Sequence, residues 1–193
     1  MKYNLIPKFL CVGQKHAIHS HQMAGEFNYF AFGSNLLKER IRLNNPSAVF
    51  KTVGKLQGYK LEFSGPDNTR WHGAVATITE AIGDSLWGVI WQMDRADIPS
   101  LDLQERGYDP IEVDVLPQDG GEPLQCRTYV GKAKPGDDKR PSPQYLDVII
   151  RGAIQSKLPQ EYINKLKSIE HNNYKGNVAI TAELGSGNGI TAK

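Results

Sequence analysis

Two short stretches of this chain hold residues that can do polar chemistry together. One is Phe32-Gly33-Ser34-Asn35-Leu36, which follows the apolar run Tyr29-Phe30-Ala31 without a spacer. A glycine between a buried run and a helix start leaves backbone N–H groups uncovered. At a helix N-terminus such groups lack intrahelical partners, and they suit a carboxylate or a developing oxyanion. The bland alternative is a helix capped by Ser34 or Asn35 after a strand. The other stretch is Ser100-Leu101-Asp102-Leu103-Gln104-Glu105-Arg106-Gly107. Asp97 can cap a short helix here and Arg106-Gly107 can end it, which leaves Glu105 at the negative end of the dipole. Partial desolvation there would lift its pKa toward neutrality, as one general acid/base requires. The competing reading is a solvated glutamate neutralised by Arg106.

Other candidates carry less. Ser34 does not sit in Gly-x-Ser-x-Gly, so a nucleophile elbow is not expected, and His72 beside Trp71 reads as structural. His16, His19 and His21 lie in a tail without a fixed geometry for metal, and no metal site is assigned. Cys126 reads as a buried thiol. No phosphate loop, dinucleotide fingerprint or paired-cysteine zinc pattern occurs.

The elements that must position these residues read β-rich first and helical last. Alternation and β-branched or aromatic content predict strands over 27–32, 57–64, 71–79, 86–93, 111–116 and 124–130. Gly65-Pro66-Asp67-Asn68, Gly83-Asp84 and Asp119-Gly120-Gly121 supply turns between them. Helices are predicted over 36–43, 98–105, 143–156 and 159–169. The third opens on Ser142 and Pro143 and offers Ile149, Ile150, Ala153 and Ile154 as its apolar face. Short turns between strands argue for a mainly antiparallel sheet or small barrel with packed helices.

The chain has 193 residues, a length that suits one domain with a sizeable core. We divide it into an N-terminal extension over 1–25, a domain over 26–176 and a flexible tail over 177–193. Net charge is +2, and Lys2, Lys8 and Lys15 in the acid-free first 25 residues leave the rest near −1. Without a basic field, nucleic acid is not an expected partner. Nothing approaches a membrane span, and two distant cysteines, Cys11 and Cys126, fit a reducing cytoplasm.

Taken in order, "YFAFGSNLLKERIRLNNPSA", "WHGAVATI", "LWGVIWQM", "SLDLQE", "CRTY", "SPQY" and "NNYKGNV" resemble the γ-glutamylcyclotransferases over roughly residues 27–176. The resemblance implies an α+β fold, a small mixed or antiparallel β-barrel decorated by helices, commonly a homodimer. It implies a cofactor-free reaction in glutathione and γ-glutamyl metabolism, in which a γ-glutamyl amino acid becomes 5-oxoproline plus the free amino acid. Glu105 takes the catalytic position. Tyr29, Phe30, Ala31, Phe32, Gly33 and Ser34 match the substrate loop, with Asn35 supporting it. Tyr108, Tyr129 and Tyr145 match aromatic positions around the pocket, and Gly131 a contact position. Phe32 stands where the family usually has tyrosine, and the connection from Glu105 to Tyr108 is shorter by about four residues. The alternatives are a relative acting on γ-glutamylamines and a binding protein that has lost catalysis.

Overall fold

The computed structural model describes residues 25–68, 70–133 and 139–184. His16, His19, His21 and Cys11 therefore lie outside the described residues. Five strands close into a barrel in the order β1-β3-β2-β4-β5. They are β1 (Glu26–Ala31), β2 (Val49–Asn68), β3 (Gly73–Asp94), β4 (Tyr108–Pro117) and β5 (Leu124–Gly131). Neighbours run antiparallel except β1 and β5, which meet in parallel at Tyr29 and Arg127 and shut the sheet. Beyond the barrel the β2–β3 ribbon pairs only with itself, since β2 meets β4 at Gly54 and Lys55. The predicted α+β class with a small barrel is the observed one.

Two predicted strands, 71–79 and 86–93, are one strand of 22 residues. Gly83 does take a positive φ of 87°, as a turn would need. The partner strand answers with Gly58 at φ 76°, and the pairing skips from Gln57↔Ser85 to Tyr59↔Glu80. The turn signal is thus absorbed as a bulge that bends a long ribbon. The first half of β2 escaped prediction, because Lys51, Gly54 and Lys55 interrupt its apolar pattern. Gly54 is there for closeness: a Cβ would sit 2.4 Å from Val115 Cγ1 on β4.

The helices are α1 (Lys38–Arg42), α2 (Ile98–Gln104), α3 (Pro143–Gln155), α4 (Gln160–Lys167) and α5 (Ala179–Glu183). The predicted helix over 36–43 is a 3-10 turn, Ser34–Leu36, followed by α1. Ser142 caps α3 as predicted, its Oγ accepting from the Tyr145 N–H at 3.2 Å. The buried face of α3 differs from the predicted one. Ile149 and Ala153 are buried with Tyr145, Leu146 and Val148, whereas Ile150 is half-buried and Ile154 is exposed. Asp97 makes no helix cap. It accepts from Ser47 Oγ at 2.6 Å instead, tying α2 to the loop before β2. The expected tail from 177 is also corrected. Val178, Ile180 and Leu184, in α5 and at its two ends, join the core, and their burial offsets the cost of ordering the segment. Among the described residues, no helix is long and apolar enough to cross a membrane.

Candidate active site

β1 delivers the chain to the site. Tyr29 and Ala31 share one face of the strand and Phe30 the other. Phe30 is fully buried, and its ring lies where a Cβ on Gly88 would come within 2.6 Å. The strand then gives way to the Ser34–Leu36 turn, in which Leu36 N–H donates to Gly33 O at 3.0 Å. Gly33 has φ −104° and ψ −141°. A side chain would also be crowded there. A Cβ would lie 3.2 Å from Ala76 Cβ and 3.3 Å from the Tyr145 hydroxyl. Neither Ser34 nor Asn35 caps a helix.

Asn35 instead joins the parts of the site. Its side chain is buried, and Nδ2 donates to the Tyr29 hydroxyl at 3.0 Å and to Glu105 Oε1 at 2.9 Å. Its Oδ1 accepts from Gln104 Nε2 at 2.9 Å, and its backbone carbonyl accepts from Trp91 Nε1 at 3.0 Å. A buried amide with its polar atoms matched this way holds one orientation. Glu105 closes α2, where its N–H donates to Leu101 O at 2.9 Å. The position at the helix end is the predicted one, but Arg106 is exposed and the cation whose charge acts on Glu105 most strongly is Arg40. Burial pushes the Glu105 carboxyl above its ordinary value, and Arg40, the two amide hydrogen bonds and Arg70 oppose that rise. Both side-chain hydrogen bonds fall on Oε1, which leaves Oε2 without one among the described residues.

Glu105, Tyr29, Phe32, Gly33, Ser34, Asn35, Tyr108, Tyr129 and Tyr145 line one cavity together with Ala76, with about 330 Å³ of atom-free space including its open mouth. Phe30, Ala31 and Gly131 lie outside that lining. Gly131 N–H donates to Thr77 Oγ1 at 2.8 Å, and a Cβ at this position would crowd Thr77 and Ser64. The short connection after Glu105 does not keep Tyr108 away. Gly107 turns at φ 95°, Tyr108 N–H donates to Glu105 O at 3.0 Å, and the Tyr108 hydroxyl donates to Ala76 O at 2.8 Å.

Burial pushes the hydroxyls of Tyr29, Tyr108 and Tyr129 well above the ordinary tyrosine value, and that of Tyr145 to about 12. All four stay neutral donors at physiological pH. Tyr145 is the best placed of them. Its oxygen accepts from the amide of Ala76 at 3.0 Å, which leaves its own proton to donate. The Tyr129 hydroxyl donates to Asp102 Oδ1 and accepts from Arg127 Nε at 3.0 Å, and Arg127 Nη2 pairs with the same Asp102 oxygen at 2.7 Å. This links β5 to the helix that ends in Glu105. Sequence reasoning missed Arg40, Gln104 and Asp102. Gln104 stands next to Glu105 in "SLDLQE", but nothing local marks it as the partner of Asn35.

No histidine lines the cavity. His72 takes φ 54° and stacks on Tyr174 with ring centroids 4.4 Å apart. Burial raises the Cys126 thiol to about 12, which leaves it inert. Among the described residues, no group of three or more His, Cys, Asp or Glu side chains is placed to hold a metal ion.

The raised Glu105 carboxyl has a stability consequence. The folded chain holds this proton more tightly than the unfolded chain does, so folding is favoured most below the usual glutamate value of 4.5. That contribution is lost as pH rises from there through the raised folded value. Urea unfolding across roughly pH 4 to 7 should show a stability slope that shrinks in Glu105→Gln. An unchanged slope would mean that the carboxyl is not shifted upward.

A closed barrel holding one desolvated carboxylate opposite buried tyrosines defines an enzyme site for a small polar molecule. The model of the AIG2-like family matches residues 85–166, from the second half of β3 into α4. Among curated proteins, the γ-glutamylcyclotransferase of Bos taurus is 50% identical over 164 residues, covering 81% of this chain and 86% of that protein. The γ-glutamylcyclotransferase of Homo sapiens is 47% identical over 164 residues, with the same coverages. A solved structure named gamma-glutamyl cyclotransferase superposes with a TM-score of 0.77 at 44% identity, covering 83% of this chain and 98% of that one. The chain belongs to the γ-glutamylcyclotransferase family, and it is an enzyme of that type.

Proposed function

We propose that this enzyme converts γ-glutamyl amino acids into 5-oxoproline and the free amino acid, with Glu105 as the one acid/base. The observation that supports this most is the Glu105 carboxylate itself. It lines the cavity, is desolvated, and is held through Oε1 by Asn35. In this reading the substrate's α-amine gives a proton to Glu105 and attacks its own γ-carbonyl carbon. The N–C bond of the five-membered ring forms, the bond to the departing amino acid breaks, and Glu105 returns the proton to the leaving nitrogen. No oxidant, reductant or added water is needed for balance.

The reaction is intramolecular, so the pocket's main work is selecting the folded-back glutamyl conformer and excluding water. Charge that develops on the carbonyl oxygen needs a donor, and the Tyr145 hydroxyl, held by the Ala76 amide, supplies one. Such a protein works in the cytoplasm as a homodimer, a state that sedimentation of the full chain checks.

Purified protein, incubated with γ-glutamyl-alanine and separately with γ-glutamyl-ε-lysine, should release 5-oxoproline faster from the first. Preference for the second substrate would move the protein to the γ-glutamylamine class. Binding of 5-oxoproline without turnover of either would favour a silent binding protein. Ser34→Ala should retain measurable turnover, because the nucleophile in this reading is the substrate's own amine. A covalent ester trapped on Ser34 would overturn this chemistry.

A further inference from the structure

Arg40 is an anomaly that the reaction as described does not use. It lies on α1, it is 3% exposed, and it is the one charged residue in the buried class among the described residues. Its Nε and Nη1 have no hydrogen-bond partner, and it forms no ion pair within 4.0 Å among the described residues. A buried guanidinium left this way is costly, since desolvating a cation is repaid only by opposite charge or by hydrogen bonds. The repayment must come through space. Arg40 feels the like charge of Arg70, which opposes it, and the opposite charge of Glu105, the one carboxylate that lines the cavity.

We propose that Arg40 is a positioning residue for the reaction: its buried guanidinium is the countercharge that keeps the Glu105 carboxyl anionic and ready to accept the proton of the substrate's amine. The inference rests on the acid/base role proposed for Glu105. The groups that face Glu105 are few. Arg40 comes from α1, and the exposed Arg70 from the connection between β2 and β3. Tyr29, Tyr108 and Tyr145 come from β1, β4 and α3, and the neutral Asn35 and Gln104 donate hydrogen bonds. The tyrosines are neutral and cannot balance a carboxylate. Arg70 is solvated and screened. Arg40 alone combines a permanent positive charge with enclosure in a low dielectric, where an opposite charge acts most strongly.

Arg40→Met keeps the bulk and removes the charge. In protein carrying ¹³C-labelled glutamate, the Glu105 carboxyl resonance is assigned by its loss in Glu105→Gln and followed through pH. Its midpoint should rise by about one pH unit or more in Arg40→Met and return toward wild type in Arg40→Lys. The acidic limb of kcat/KM should rise with it, with activity recovering at high pH, whereas a merely structural role would lower kcat/KM evenly at every pH. An unmoved Glu105 midpoint in Arg40→Met overturns the inference. A moved midpoint with an unmoved kinetic limb supports Arg40 as countercharge and instead refutes Glu105 as the acid/base of turnover. Should Arg40→Met fail to fold, Arg40→Gln keeps a polar head at the site and serves for the same titration.

Discussion

Glu105→Gln should lower 5-oxoproline release by about 10²–10⁴-fold while the protein keeps its fold. Glutamine has the size of glutamate, so Asn35 Nδ2 and Gln104 Nε2 can still donate to a carbonyl oxygen at Oε1. What disappears is the group that takes the proton from the amine and returns it to the leaving nitrogen. The cavity lining contains no second carboxylate and no histidine that could substitute. The loss should therefore appear in kcat and kcat/KM together, as it does when a transition-state interaction is removed and ground-state binding is retained. Circular dichroism and the thermal midpoint, measured beside the rates, separate lost chemistry from lost structure. A variant with wild-type kcat would remove Glu105 from the mechanism.

Gly152→Ala should be strongly damaging for a single added methyl. Gly152 lies in α3 where the helix crosses the turn after β1. A Cβ there would sit 2.4 Å from Leu37 N, 2.5 Å from Leu36 C and 2.6 Å from Leu36 Cβ. The first two contacts are backbone, and no rotamer change relieves them. α3 must move away from the turn, which overpacking costs place at about 1–3 kcal/mol or more. A chain of this length should then melt lower by roughly 2–10 °C. The same displacement separates Tyr145 on α3 from Ser34 and Asn35 in the turn, and about 1 Å of misplacement can cost about 10²-fold in rate. Ile154→Ala, at an exposed position of the same helix, is the control and should change neither quantity much. A Gly152→Ala variant with wild-type melting and turnover would show that the crossing is soft.

The local features of the site were legible before the fold was. Glycine, serine and asparagine directly after an apolar run mark a turn that exposes amides, and a glutamate before Arg-Gly marks a helix end. Both features are properties of neighbouring residues. Elements with strong local signals were legible for the same reason, above all α3 with its Ser142 cap. Errors fell where a long-range partner overrode the local rule. Gly83 became a bulge because β2 supplies a matching glycine at Gly58. Asp97 left its helix end for Ser47, and residues 178–184 packed onto a core that their composition does not announce.

By itself the sequence determined the family, through an ordered set of motifs, and singled out Glu105 and the Gly33-Ser34-Asn35 turn as candidate chemistry. Only the tertiary structure decided that they belong to one site. The Asn35–Glu105 hydrogen bond spans 70 positions and exists because the closing barrel brings the end of β1 against the end of α2. Tertiary structure also decided that Tyr145 takes the Ala76 amide, that Phe30 and Gly131 lie outside the cavity lining, and that Arg40 is buried with no ion pair among the described residues. A side chain's neighbours, and so its dielectric surroundings, depend on segments far away in the chain. No local pattern encodes them.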